Sequence, residues 1–425
     1  MGWNSWDSYG LTINETQFKA NVTVLAGLRQ YGWQYAVIDE GWYLANPAGR
    51  TVPERKYLWN RNGLLLPVPN RFPSAAGGAG FKPIADWVHQ QGLKFGIHIL
   101  RGIPRQVVDA NLPIAGTGYS ARDAADISSP CPWDQGNWGI RDNAAGQAYY
   151  DSMFELFAKW GVDFVKVDCI SDHPYRPTEI RQIAEAIKKT GRPMVLSLSP
   201  GPTQLEHAAE VARFAQMWRI TNDHWDIWEP KHRPGGDEFP FGLKGEFDRL
   251  AEWGQYAGPG HWPDPDMLPW SWLGPSPGWG PPRQSRETRA EQRTEFTLWS
   301  MARAPLILGA NLTRLDPFTR SLLTNRTVIN IDQHAQQSRQ LDIASGPKEL
   351  RVWRADMETR SRLSYFAFFN LGDAPLHADI TFSQLGLTPS KHSARDVWTG
   401  LHPSESNGIT LTLPAHGSTI YTVER

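Results

Sequence analysis

The chain has 425 residues, about three times an ordinary ~150-residue domain, so it holds one large domain with an appendage or two to three ordinary ones. Lys+Arg number 43 against 44 Asp+Glu, and a net charge of −1 offers no positive field to gather a polyanion, which argues against nucleic acid as a partner. No apolar run approaches the roughly 18 residues that cross a bilayer, and the candidates at 64–69 and 304–310 are short and broken, so a membrane is excluded too.

The opening Met1-Gly2-Trp3-Asn4-Ser5-Trp6 has no basic segment followed by an apolar one. No signal peptide is therefore expected within this chain, and a secreted or periplasmic location implies that one was trimmed away. The two cysteines, Cys131 and Cys169, make neither a disulfide framework nor a metal knuckle, though a single bridge between them is open. The four N-x-[ST] sequons, at Asn14, Asn21, Asn311 and Asn325, are too short a pattern to carry weight in a chain this long. Tryptophan stands out at 20 residues: indole faces suit the C–H faces of sugars, while the plain alternative is a Trp-rich core.

In chain order, one unit recurs from residue 14 to about 325: an amphipathic helix, a glycine, then a short apolar strand. The first helix starts at Asn14 with Gln17 three residues on, a capping-box pattern, and lines Phe18, Val22, Leu25 and Leu28 on one face before Gly32. Strand Tyr35-Ala36-Val37-Ile38 follows and ends in Asp39-Glu40. The same order recurs around Gly92 with strand 93–98, around Gly161 with strand 163–168, and around Gly191 with strand 194–197. Each glycine marks the left-handed residue that closes a helix.

Weaker strands at 2–6, 216–220, 261–264 and 306–309 bring the total to eight, the closure number of a (β/α)8 TIM barrel. An open doubly wound sheet would carry a G-x-G-x-x-G turn after its first strand, and none is present. After about Thr327 the texture changes to short strand-like runs at 350–353, 363–369, 378–382, 394–398, 409–413 and 418–423. The spacing predicts a catalytic barrel over 1–327 followed by a C-terminal antiparallel β-sandwich over 328–425.

Barrel chemistry sits at the C-terminal ends of the strands, and those ends are acidic: Asp39 and Glu40, Lys166 with Asp168, Arg219 with Asp223, Asp264 with Asp266. Lys166 and Asp168, two apart on a strand, project the same way. Carboxylates converging beside aromatic surface suit glycoside hydrolysis, with one acid attacking the anomeric carbon and a second protonating the leaving oxygen. Asp168 fits the ionised nucleophile because Lys166 and Arg219 favour its charged form. A strand-end Asp is often only a helix cap. A carboxylate cluster can also bind a divalent cation, but Asp264-Pro265-Asp266 lacks the glycine and glutamate of a calcium loop and no H-E-x-x-H occurs, so neither metal nor cofactor is expected. His98, His173, His224 and His261 stand singly, as structural histidines do.

These residues resemble the α-galactosidases of glycoside hydrolase family 27. The matching segments are Met1 to Trp6, Val37 to Trp42, Trp160 to Asp168, Trp218-Arg219 with Asp223, and Gly258 to Met267, in the family's order and across essentially the whole chain. The resemblance implies a retaining exo-glycosidase that releases terminal α-D-galactosyl residues from a glycoside or oligosaccharide by double displacement. Asp168 would be the nucleophile and Asp223 the acid/base, with Asp226 as competitor for the second role and the carboxyl groups ~5–5.5 Å apart. It further implies that Trp3 flanks the sugar, Asp39 and Glu40 hold the C4 and C6 hydroxyls, Lys166 reaches the ring hydroxyls and Arg219 binds near C2. His98 stands in a tyrosine's place, Cys131 lines the pocket, and Ser199 and Asp266 complete the substrate-binding set.

Three departures bear on specificity. Glu40 replaces the second Asp of the family's pair, and its extra methylene favours a sugar without the hydroxymethyl arm, such as β-L-arabinopyranose. Ser199-Pro200-Gly201 leaves room near C2 that an N-acetyl group could use, as in an α-N-acetylgalactosaminidase. Cys169 directly follows Asp168 instead of lying two residues on, which argues against the family's bridge to Cys131. The reading from a different class is a carbohydrate-binding protein that has lost turnover, for which paired carboxyls with Lys166 and Arg219 would have no use. Among the substrates, galactose is ranked first.

Overall fold

The structure is a computed structural model that describes residues 1–48, 54–230, 239–343, 346–357, 363–388, 392–401 and 407–424. Its contacts divide the chain into two compact units: Met1–Arg219 with Trp272–Gln284 and Ile307–Arg314, and Ile220–Ser271 with Ser285–Leu306 and Leu315–Arg425.

In the first unit the helix–glycine–strand repeat folds as its spacing dictates. Strands β1 (Gly2–Asn4), β2 (Tyr35–Ile38), β3 (Lys94–Leu100), β4 (Phe164–Asp168), β5 (Val195–Leu198), β6 (Met217–Arg219) and β8 (Ile307–Leu308) lie side by side in the order β6-β5-β4-β3-β2-β1-β8. Every pairing in that series is parallel. The crossovers are made by α1 (Glu15–Leu28), α2 (Lys82–Gln90), α3 (Ala144–Trp160), α4 (Pro177–Thr190) and α5 (Ala208–Phe214). The order is the cyclic one of a (β/α)8 barrel, and β7 (Trp262–Asp264), the remaining member of the series, belongs to the second unit.

Local sequence explains the elements. Asn14 caps α1 through a capping box with Gln17, and Phe18, Val22, Leu25 and Leu28 are the buried face. Gly161 and Gly191 end α3 and α4 at φ 82° and 71°, a region closed to most side chains. One insertion has no periodic signal: after β3, Ile103–Pro104, Ala125–Pro130 and Asn137–Ile140 form a small antiparallel sheet.

The second unit contains β7, α6 (Leu243–Trp253), α7 (Arg289–Ala302) and the C-terminal sandwich. There β9 (Gln337–Leu341), β10 (Leu350–Asp356), β11 (Leu363–Asn370), β15 (Ser418–Glu424) and β13 (Ala394–Asp396) form one antiparallel sheet, and β12 (Leu376–Thr381) pairs with β14 (Gly408–Leu413) in another. Val352, Phe366, Phe368, Ile380, Leu411 and Val423 fill the space between their inner faces. The fold is a (β/α)8 barrel followed by an antiparallel β-sandwich. No helix among the described residues is long and apolar enough to cross a membrane.

Candidate active site

The first unit gathers its polar side chains at the C-terminal ends of β2, β3 and β4. Strand alternation sends Lys166 and Asp168 to one side of β4, and the register sets His98 opposite Lys166 and Leu100 opposite Asp168. Asp39, just past β2, is held on both oxygens. Oδ2 accepts from Asn4 Nδ2 at 2.7 Å and from Lys166 Nζ at 3.1 Å, and Oδ1 accepts from the Glu40 N–H at 2.8 Å. Its own N–H donates to Ser5 Oγ at 3.0 Å.

Asp168 Oδ2 lies 3.0 Å from His98 Nε2. Burial raises the Asp168 pKa, but Lys166 and His98 outweigh it and hold the carboxyl well below its usual range. His98 responds in kind: burial lowers its pKa, yet Asp39 and Asp168 overcome that and raise it. Asp39 is also lowered, with Lys166 and His98 prevailing over burial. The result is a fixed, ionised carboxylate that stays partly open, with 18% of the Asp168 side chain exposed.

Glu40 stands apart from this set. Burial, with the neighbouring Asp134 and Asp168 charges, prevails over His98 and Arg55 and raises its pKa to about 7. Arg55 is 4.0 Å from Glu40 Oε1 and pairs directly with Asp134, so one guanidinium stands between two acids. Tyr57 stacks on Tyr43 behind it, with ring centroids 5.6 Å apart.

Cys131 and Cys169 are joined in a disulfide, their Cα atoms 6.0 Å apart. The expectation against this bridge is overturned. Cys169 takes a left-handed φ of 65°, which redirects the chain immediately after Asp168, so the one-residue offset in spacing is absorbed by the backbone. Buried Arg101 braces both ends: Nε donates to the Cys169 carbonyl at 2.6 Å, and its terminal nitrogens donate to the Ser129 and Pro130 carbonyls and to Glu179 at 2.7 Å.

In the second unit Asp223 is half-buried and follows β6 by four residues. Its competitor Asp226 is fully buried and accepts the Arg286 backbone N–H at 3.0 Å and the guanidinium at 3.1 and 2.8 Å, which commits it to structure. Asp266, at φ 88°, accepts the His224 N–H at 3.0 Å, so it fixes the backbone next to Asp223. The His224 ring is buried among glutamates, with Nδ1 3.3 Å from Glu246 and Nε2 3.0 Å from Glu295 and 4.0 Å from Glu287. Burial opposes its protonation, but Glu246 and Glu295 raise its pKa to about 10. Among the described residues, His224, Glu287 and Glu295 are the group whose donor atoms, all within 4.8 Å, could hold a cation; protonated His224 itself supplies positive charge there.

The first unit thus brings together Asp39, Glu40, His98, Lys166 and Asp168, with Ser199 supporting the Asp168 charge and Arg219 buried at the end of β6. Three residues of the expected substrate-binding set are buried and already have protein partners. Trp3 is fully buried, donates from Nε1 to the Ala310 carbonyl at 2.7 Å and packs on Phe18, because on β1 it is Asn4, one position on, that faces Asp39. His98 is fully buried, with Nε2 3.0 Å from Asp168 Oδ2. Cys131 is buried in its disulfide. The sequence reading missed Arg55 and Asp134, which sit in stretches without period. Trp6, just past the end of β1, is half-buried, and its backbone N–H donates to Asn4 Oδ1 at 2.9 Å.

A partly open, ionised aspartate flanked by a lysine and a histidine at the strand ends of such a barrel suits the nucleophile of a glycoside hydrolase. Comparison with known proteins agrees. Residues 133–334 match the family described as alpha galactosidase A, and residues 347–423 match the alpha galactosidase C-terminal beta sandwich domain. An alpha-galactosidase A from Cellvibrio japonicus is 29% identical, with 98% of this chain and 89% of that protein aligned. A GH27 β-L-arabinopyranosidase from Geobacillus stearothermophilus is 40% identical and superposes with a TM-score of 0.93 over 100% of this chain and 96% of that one. A variant of the same enzyme, solved in complex with arabinose, is 39% identical with a TM-score of 0.93 over the same shares of the two chains. The chain belongs to glycoside hydrolase family 27.

Proposed function

We propose that this protein is a retaining exo-glycosidase whose preferred glycone is β-L-arabinopyranose, with α-D-galactose as the slower substrate. Asp168 attacks the anomeric carbon as Asp223 protonates the departing oxygen. Asp223, now a carboxylate, then takes a proton from the water that releases the sugar from Asp168. His98 and Lys166 keep Asp168 ionised for the attack. Lys166 and Asp39, already joined at 3.1 Å, supply a donor and an acceptor for ring hydroxyls.

The observation that carries the specificity is Glu40. The two sugars share the configuration of their ring hydroxyls and differ in the hydroxymethyl arm at C5. A carboxylate one methylene longer than aspartate, steadied by Arg55 at 4.0 Å, would fill the space that arm needs. A methylene is worth ~1–3 kcal/mol, so the preference shifts by about 10–200-fold without excluding galactose. The 40% identity to an arabinopyranosidase supports the same order, which reverses the ranking drawn from the sequence.

The test is a side-by-side rate comparison on the nitrophenyl glycosides of β-L-arabinopyranose, α-D-galactose and N-acetyl-α-D-galactosamine. The arabinoside should be cleaved fastest, and Glu40→Asp should move the ratio at least about tenfold toward galactoside. A wild-type preference for galactoside that Glu40→Asp leaves unmoved would refute the assignment; fastest cleavage of the N-acetyl sugar would point to Ser199 instead.

A further inference from the structure

The tryptophans separate by exposure. Of the 20 in the chain, Trp133 alone is exposed, at 45%, while Trp3, Trp33, Trp42, Trp218 and Trp225 are among those fully buried. Indole burial is a large source of stability, so the one exposed indole in a chain whose others are buried or half-buried stands out.

Its surroundings tie it to the site. Trp133 lies in the connection between Ala125–Pro130 and Asn137–Ile140 of the inserted sheet. Two residues before it, Cys131 is bonded to Cys169, the residue after Asp168. The residue after it, Asp134, pairs with Arg55 beside Glu40 and accepts the Gly136 N–H at 2.8 Å. The indole makes an edge-type contact with His173, five residues beyond Asp168, with ring centroids 5.2 Å apart and planes at 60°. His173 is in turn paired with Asp172. A covalent bond, an ion pair and a ring contact therefore hold an open aromatic face against the segment that carries Asp168.

We propose that Trp133, edged by His173, is the platform for the leaving group: the sugar or aryl unit on the far side of the scissile oxygen stacks its apolar face on the exposed indole. The proposal rests on the glycosidase reading above and adds to it the part of the substrate that departs. A partly exposed aromatic suits that role because the group it holds must be released after each cleavage.

The test varies the leaving group on one glycone. Wild type, Trp133→Ala and Trp133→Phe are assayed on β-L-arabinopyranosyl fluoride, which has no second ring, and on a disaccharide with a terminal β-L-arabinopyranosyl unit. The ratio of kcat/KM for the disaccharide to that for the fluoride should fall about tenfold in Trp133→Ala and be largely restored in Trp133→Phe. The fluoride rate serves as the internal reference for an intact site. Equal ratios in all three proteins overturn the platform while leaving the glycosidase reading in place. Failure of the wild type to hydrolyse either compound, or the α-D-galactosyl and N-acetyl-α-D-galactosaminyl fluorides run alongside, overturns the glycosidase reading, and the platform with it.

Discussion

Glu40 shows how strongly one side chain's surroundings decide its chemistry. Asp39 and Glu40 are neighbours with the same functional group, yet Asp39 is bonded on both oxygens and stays ionised, while burial and two nearby acids raise Glu40 to about 7. A consequence for stability follows by linkage. The unfolded Glu40 carboxyl ionises near 4.5 and the folded one near 7, so across that window the folded state holds more protons. Glu40 therefore contributes its full share of stability below pH 4.5 and loses it as pH rises through 7. Urea denaturation of wild type and Glu40→Gln should show the variant gaining on wild type between pH 4.5 and 7, with no further gain above. A gap that stays constant across that range would show that Glu40 titrates normally.

Among the elements, the strand ends deliver the chemistry and the inserted sheet frames it. The strand ends were legible in the sequence because a glycine after a helix and an apolar run after the glycine are strong local signals, and Asp39, Lys166 and Asp168 lie where that pattern places them. The insertion was not legible. Its strands are short and have no period, and so the positions of Cys131, Trp133 and Asp134 could be known only from the folded chain. Parity on a three-residue strand was equally hidden, which is why Asn4 and not Trp3 turned out to face Asp39. The disulfide closes 38 positions of chain, so Cys131→Ser should lower stability by about 2–4 kcal/mol in chemical denaturation. A loss below about 0.5 kcal/mol would mean that Arg101 and its hydrogen bonds alone hold the segment.

At the scale of the molecule, near-neutral charge and a barrel-plus-sandwich architecture place recognition in individual side chains instead of in a long-range field. The short strand-like runs in the C-terminal part of the chain announced the sandwich. It did not announce that residues 220–271 and 285–306 would share a compact unit with the sandwich, since such grouping depends on long-range packing such as Phe247 on Phe369 at 5.0 Å. Nor did single histidines in the sequence reveal that His224 would be enclosed by Glu246, Glu287 and Glu295, one residue from Asp223.

Catalysis in the proposed mechanism divides between Asp168, which takes the sugar, and Asp223, which manages the proton. Replacing Asp223 by Ala removes the base of the second step while an activated dinitrophenyl β-L-arabinopyranoside, which needs no acid, still permits the first. The glycosyl-enzyme should then accumulate, and peptide mapping by mass spectrometry should find the sugar esterified to Asp168. A sugar attached to any other side chain, or no adduct together with release of the inverted anomer, would contradict it.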